Sequence, residues 1–196
     1  NTLMLSRKRL ALDNAEVWFY SGVFTPGELR ELYLIFCRIL DWKESTIKLF
    51  GREVRSPRLS VWYGEKPYKY SGLTWPIKAM PSELLKIKRC VEGLAERAFN
   101  GVLCNLYRDG QDSMGWHCDN EPELGPDPVL ASISFGAKRR FVFRNKNQKL
   151  LKTEILLGAG DILVMGTGTQ SNWQHSVPKS SMLVESRINF TFRQVL

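Results

Sequence analysis

The chain of 196 residues contains two histidines, His117 and His175. The first opens the run His117-Cys118-Asp119. In an extended run side chains alternate, so the imidazole and the carboxylate share one face and Cys118 turns away. With His175 they form a possible set of two histidines and one carboxylate, which suits Fe(II) and leaves positions open for a substrate and dioxygen. Zinc accepts the same ligands. His-x-Asp alone arises often by chance, and what raises its weight is a second group of residues near the C-terminus. Twelve residues past His175 begins Arg187-Ile188-Asn189-Phe190-Thr191-Phe192-Arg193. Its period is that of a strand, with Ile188, Phe190 and Phe192 on one face and Arg187, Asn189, Thr191 and Arg193 on the other. The two arginines then lie about 20 Å apart if the strand is straight. An ordinary half-buried strand turns such a polar stripe to water. Beside a ferrous ion the same stripe would hold an anionic co-substrate, because guanidinium groups grip carboxylates in bidentate fashion.

These residues need a scaffold, and the hydrophobic periodicity supplies one. Glu16 to Tyr20 reads as a first strand after a basic, loose start at Arg7, Lys8 and Arg9. Thr25-Pro26-Gly27-Glu28 has the form of a capping box with proline at the first helical position. The helix it opens carries Leu29, Leu32, Tyr33, Phe36, Ile39 and Leu40 on one face. A second amphipathic helix near residues 82–99, with Leu84, Ile87, Val91, Leu94 and Ala98 on one side, is stopped by Asn100-Gly101. Strands follow at 102–108 (with Asn105 and Tyr107 on one face), near 116–117, and at 129–135, 140–144, 151–157, 162–165, 174–177 and 187–193. Two helices followed by about eight short strands predict an α+β fold, a jelly roll backed by the helices.

Between the helices, residues 46–75 read as short strand-like pieces broken by glycine and proline. Phe50, Trp62, Tyr63, Tyr68, Tyr70 and Trp75 alternate there with Lys48, Arg52, Arg55, Arg58, Lys66 and Lys69. Aromatic faces can stack bases while cations meet phosphates, although about half of such rings are expected to fill a core. Composition agrees with a polyanionic partner: Lys+Arg number 28 against 20 Asp+Glu, a net charge of +8. The four cysteines form no CxxC pair or disulfide framework, which favours an intracellular setting, the nucleus in a eukaryote or the cytoplasm in a bacterium. No run approaches the ~20 apolar residues of a membrane span and no signal-peptide pattern is present, so a soluble single domain acting as a monomer is expected.

The order His117-x-Asp119, His175, Arg187-x-Asn189-x-Thr191-x-Arg193 resembles the AlkB family of Fe(II)- and 2-oxoglutarate-dependent dioxygenases. Asn105-x-Tyr107, His117-Cys118-Asp119-Asn120-Glu121 and Ala131-Ser132-Ile133-Ser134-Phe135-Gly136 also match that family, over residues from about 48 to the end. The branch it most resembles repairs alkylated bases in DNA. The resemblance implies a double-stranded β-helix over about 100–196, with a nucleotide-recognition lid over about 46–80. It implies that His117, Asp119 and His175 bind Fe(II). Arg187, with Tyr107 and Asn189, would take the distal carboxylate of 2-oxoglutarate, and Arg193 and Asn105 would serve the end that chelates iron.

For the substrate it implies a flipped base bound by Tyr68 and Tyr70 and sandwiched between Tyr70 and the His117 ring. Asn120 and Glu121 would face the base's polar edge, Arg58 would assist from the lid, and Phe50 would fill the gap left in the helix. Dioxygen and 2-oxoglutarate would then yield succinate, carbon dioxide and a hydroxylated N-methyl group that leaves as formaldehyde. A cationic base such as 1-methyladenine or 3-methylcytosine would be favoured by stacking on tyrosine beside a carboxylate. Lys179-Ser180-Ser181 carries one cation where relatives that prefer double strands carry a basic run. A second basic group, Lys138, Arg139, Arg140, Arg144, Lys146, Lys149 and Lys152, could meet phosphates or be a solvated hairpin. Single- or double-stranded DNA is thus the expected partner. The alternatives are a demethylase acting on RNA and a non-catalytic nucleic-acid-binding module with structural zinc.

Overall fold

The computed structural model of the chain describes residues 4–49, 52–70, 72–182 and 184–196. Strands β1 (Ser6–Leu10) and β2 (Val17–Ser21) lead into helix α1 (Pro26–Ile39). Then come β3 (Lys43–Leu49), β4 (Arg52–Gly64), β5 (Tyr68–Tyr70), β6 (Leu73–Trp75) and helix α2 (Ser82–Ala95). The remainder is β7 (Gly101–Tyr107), β8 (Met114–His117), β9 (Leu130–Gly136), β10 (Arg139–Asn145), β11 (Lys152–Leu157), β12 (Ile162–Met165), a single helical turn α3 (Thr169–Asn172), β13 (Trp173–Val177) and β14 (Arg187–Arg193). An eight-stranded sheet runs β1-β2-β12-β9-β14-β7-β4-β3, a four-stranded sheet runs β11-β10-β13-β8, and β5 and β6 form a separate hairpin.

Two apolar clusters explain this layering. One lies between the large sheet and the helices, where Phe36 of α1 and Leu84, Ile87 and Val91 of α2 meet Cys104, Ile133, Phe190 and Phe192. Phe36 and Phe190 pack edge to face at 4.7 Å. The other lies between the two sheets and includes Trp62, Leu103, Phe141, Phe143, Met165 and Trp173. Strand β14 separates the two. Its apolar face goes to the helices, so its polar face has to point into the space between the sheets, and all seven of its residues are buried.

Four local expectations are corrected. The start is not loose: Ser6–Leu10 pairs antiparallel with β2, and Arg7 lies 3.8 Å above the Trp18 ring. Helix α1 has the expected capping box, but Ile39 at its end is exposed. Helix α2 ends at residue 95, not 99, and Glu96 at φ 52° provides the left-handed cap. Residues 52–64 form one long strand of the large sheet rather than broken pieces, paired with β3 over most of its length and with β7 over residues 59–64. Among the described residues no helix is long and apolar enough to cross a membrane.

One contact of this sheet yields a prediction. Gly64 and Gly101 pair across β4 and β7, and the Trp62 indole lies over both, so that a methyl group at 101 would stand 2.2 Å from the ring. Gly101→Ala should therefore destabilise the fold by about 1–3 kcal/mol, the usual cost of overpacking, read as a lower melting temperature.

Candidate active site

Each polar side chain of the site is placed by strand register. Antiparallel pairing of β14 with β7 sets Arg187 opposite Tyr107 and Asn189 opposite Asn105, and pairing with β9 sets Asn189 opposite Ser134 and Thr191 opposite Ser132. In the small sheet β13 sets His175 opposite His117. The two sheets thus hold their polar residues facing each other across one narrow cavity. It is lined by His117, Asp119 and His175, by Asn105 and Tyr107, and by Arg187, Asn189, Thr191 and Arg193. The structure brings together every residue expected to hold metal or co-substrate.

One ligand atom from each of His117, Asp119 and His175 lies within 4.8 Å of the others. His117 Nδ1 donates to the Gly115 carbonyl at 2.9 Å, which fixes the tautomer and leaves Nε2 as a lone-pair donor. Burial, reinforced by neighbouring His175, pushes the His117 imidazole down to about 3, so it is neutral. Burial alone would raise the Asp119 carboxyl, but Arg193 and the hydrogen bond from His175 hold it well below its usual range. Its Oδ1 accepts from Arg193 Nη2 at 2.6 Å, Oδ2 lies 3.3 Å from His175 Nε2, and its backbone amide donates to Gln170 Oε1 at 2.9 Å. A neutral imidazole, a carboxylate anion and a second imidazole are the donor set that Fe(II) takes. Among the described residues this cluster has three members and no fourth His, Cys, Asp or Glu, which leaves coordination positions open, unlike a structural zinc site.

The arginines differ in what already satisfies them. Arg193 has its charge paired, with Nη2 on Asp119 and Nη1 donating to the Thr191 carbonyl at 3.0 Å, and only its Nε lacks a partner. Arg187 is only 1% exposed, donates from Nη2 to Ser134 Oγ at 2.9 Å, and stands 5.2 Å from the centre of the Tyr107 ring. Its Nε and Nη1 have no partner. Burial lowers its pKa, and Tyr107 partly offsets that. A buried cation with two unused donors is a strong unmet demand for an anion.

The sequence profile of the 2OG-Fe(II) oxygenase superfamily matches residues 17–193. The chain belongs to that superfamily. Within it the relatives are AlkB homologues, and the chain is an AlkB-family oxygenase. It is 41% identical over 184 residues to cattle alpha-ketoglutarate-dependent dioxygenase alkB homolog 3, covering 87% of this chain and 64% of that protein. It is 38% identical to the human protein of the same name, covering 92% of this chain and 66% of that protein. To human DNA oxidative demethylase ALKBH2 it is 37% identical, covering 90% and 72%. The chain thus spans slightly under two-thirds of the length of the alkB homolog 3 proteins. A solved structure of OsALKBH1 shares the fold at a TM-score of 0.65 and 16% identity, covering 95% of this chain and all of that one. The oxygenase family's cofactors are Fe(II), 2-oxoglutarate and dioxygen, and the triad's donor chemistry fits the metal.

The residues expected at the substrate are placed less uniformly. Trp62, Tyr68 and Tyr70 form a stack, with ring centres 4.6 Å and 6.0 Å apart. Tyr68 is wholly buried in its middle, so only its edge can face a ligand, while half-buried Tyr70 ends the stack and its hydroxyl donates to Met114 Sδ at 3.7 Å. Burial pushes the Tyr70 hydroxyl up to about 12. The Tyr68 hydroxyl and Glu121 Oε2 are buried without partners. Burial, then Asp119, raises the Glu121 carboxyl. Asn120 is exposed. Arg58 is not a surface cation: it is buried, donates from Nε to Asn105 Oδ1 at 3.0 Å and points Nη1 at the Ser113 carbonyl at 3.4 Å. Phe50 lies outside the described residues.

The basic group of residues 138–152 is not one solvated surface. Arg139 is buried and donates to the carbonyls of Asp109, Asp112 and Pro178 at 2.8–2.9 Å. Arg140 is paired with Glu154, and Lys146 donates to the Gln170 carbonyl. Sequence reasoning assigned no role to Ser134, Ser60 or Gln170. Ser134 shares the inward face of β9 with Ser132, and two serines at that spacing in an apolar strand were the available signal. Gln170 sits on α3, where no pattern pointed to Asp119.

Proposed function

We propose that the chain is an oxidative demethylase of N-alkylated bases in DNA, of the 1-methyladenine and 3-methylcytosine type, releasing the methyl group as formaldehyde. The observation that carries this reading is a three-ligand cluster sharing one cavity with a buried arginine that has two unused donors. Fe(II), with dioxygen and 2-oxoglutarate, supplies the oxidation of the N-methyl group. The remaining steps belong to the protein's own residues. Arg187 holds the distal carboxylate of 2-oxoglutarate with Tyr107 and Asn189. Asn105, fixed by Arg58 and Ser60, serves the other end. Arg193 acts at that end through Asp119, whose carboxylate it orients.

A flipped base enters between Tyr70 and the His117 ring. Its polar edge meets the Tyr68 hydroxyl and the Glu121 carboxylate, two buried groups that lack partners without it. A cationic base gains from the tyrosine face and from the acidic side chain. Exposed Asn120 meets the strand from outside. The names of the relatives, alkB homolog 3 dioxygenases and DNA oxidative demethylases, support the substrate class. Four cysteines that form no disulfide suit the intracellular compartments where such a substrate occurs.

The test is incubation with methylated oligonucleotides, Fe(II), ascorbate and 2-oxoglutarate, with base reversal followed by mass spectrometry. Reversal of 1-methyladenine or 3-methylcytosine in DNA is expected. No product from methylated DNA in a sample shown to bind iron would sink the reading, and product from RNA alone would move it to an RNA demethylase.

A further inference from the structure

The outer face of the four-stranded sheet carries a row of residues that the active site does not use. Alternation on β10 sends Phe141 and Phe143 inward and Arg140, Val142 and Arg144 outward. Register sets Arg144 opposite Lys152 on β11 and opposite Gln174 on β13. On the edge strand β8, Trp116 faces the same way, and its ring is approached by the Arg144 guanidinium at 4.1 Å and by Lys152 Nζ at 5.9 Å. Glu154 is the acid on this face, and it is neutralised by Arg140 at 2.6 Å. Among the described residues no carboxylate pairs with Arg144, Lys152 or Lys179, so the face is net positive around a half-buried indole.

This face is also a groove, of about 470 Å³, and Trp116, Lys152 and Lys179 line it. Met114 and Val177 line both that groove and the active-site cavity. The Tyr70 hydroxyl rests on Met114. A strand whose base sits between Tyr70 and His117 can therefore cross Met114 and reach Trp116 without leaving the protein surface.

We propose that this groove is a second subsite, which binds single-stranded DNA flanking the base held in the active site. Trp116, backed by the Arg144 guanidinium, stacks a flanking base, and Lys152 and Lys179 take phosphates. Aromatic platforms ringed by cations hold single strands in this way, because every base has a stackable face and every linkage a negative charge. The groove then selects for an unpaired tract of strand beyond the lesion itself. The inference rests on the demethylase reading above.

The test compares two 3-methylcytosine oligonucleotides, one of about four nucleotides and one of about twenty, by fluorescence anisotropy and by turnover. The longer strand should bind the intact protein more tightly. Trp116→Ala should lose about tenfold of the longer strand's affinity and none of the shorter strand's. As Trp116 adjoins His117, a second variant keeps the test independent of the metal: Lys152→Gln with Lys179→Gln should lower the salt dependence of long-strand binding by about 1.4, at about 0.7 per phosphate contact. Equal affinity for both lengths, or variants that keep the long-strand advantage, would overturn the subsite. Failure to demethylate either oligonucleotide would instead sink the demethylase reading, while the anisotropy of the long strand still judges the groove.

Discussion

Replacing His175 with alanine should abolish turnover and empty the metal site. Its imidazole is 4% exposed, is stacked against Phe141 with ring centres 5.3 Å apart, and lies 3.3 Å from the Asp119 carboxylate. With three ligands and open positions, loss of one leaves two, too few to hold Fe(II) in a cavity that must also admit co-substrate and dioxygen. Fe(II) affinity should therefore fall by more than the ~10–100-fold that follows loss of a supporting hydrogen-bond partner. Gln170→Ala supplies that milder reference, since the Gln170 side chain accepts from the Asp119 backbone amide and donates to the Met165 sulfur. Iron content, turnover and a melting curve on the same samples separate metal loss from unfolding. A His175→Ala protein that folds and keeps the wild-type rate would remove His175 from the ligand set.

How much of this was legible in the sequence depends on which force fixed each residue. Strand β14 was readable as a strand with two faces, because alternation is set by backbone geometry alone. Which face meets water was not readable, because that is decided by α1 and α2 covering the apolar side. The basic segment Arg7-Lys8-Arg9 was misread because an edge strand needs hydrogen bonds more than apolar residues. Its cations stay exposed or lie over Trp18. Strand β4 was misread at Pro57, a residue that usually ends a strand. Here the register of β3 with β4 jumps between Glu44 and Thr46, so that Ser56, Pro57 and Arg58 bulge opposite Ser45 and the missing amide has no partner to lose. Arg139 could have been placed: period two puts it on the face of Phe141 and Phe143, hence inside. Counting it with its charged neighbours ignored that period. Nothing in the sequence could pair its guanidinium with three carbonyls from two distant loops.

The same distinction between a charge that is satisfied and one that is waiting makes Arg187 the sharper probe of the co-substrate. In the protein alone, its Nε and Nη1 are buried without partners, and each unmet buried donor costs about 1–3 kcal/mol. Arg187→Met removes the charge and those unmet donors while keeping most of the volume, so the variant without ligand should melt at the same temperature as the intact protein or higher. In the presence of 2-oxoglutarate the ranking should reverse, because only arginine gains the carboxylate. Loss of a desolvated, hydrogen-bonded charge pair typically costs about 2–5 kcal/mol, so the KM for 2-oxoglutarate should rise from about 30-fold to above about 1,000-fold. The DNA requirement should barely move, since Arg187 lies at the Tyr107 and Gly136 end of β14, six residues along the strand from Arg193 beside Asp119. A variant with an unchanged KM for 2-oxoglutarate and a raised DNA requirement would mean that Arg187 faces nucleic acid. A variant destabilised without ligand would mean that its charge is already satisfied by the fold. The two measurements together tell whether the buried cation belongs to the scaffold or to the molecule it is built to receive.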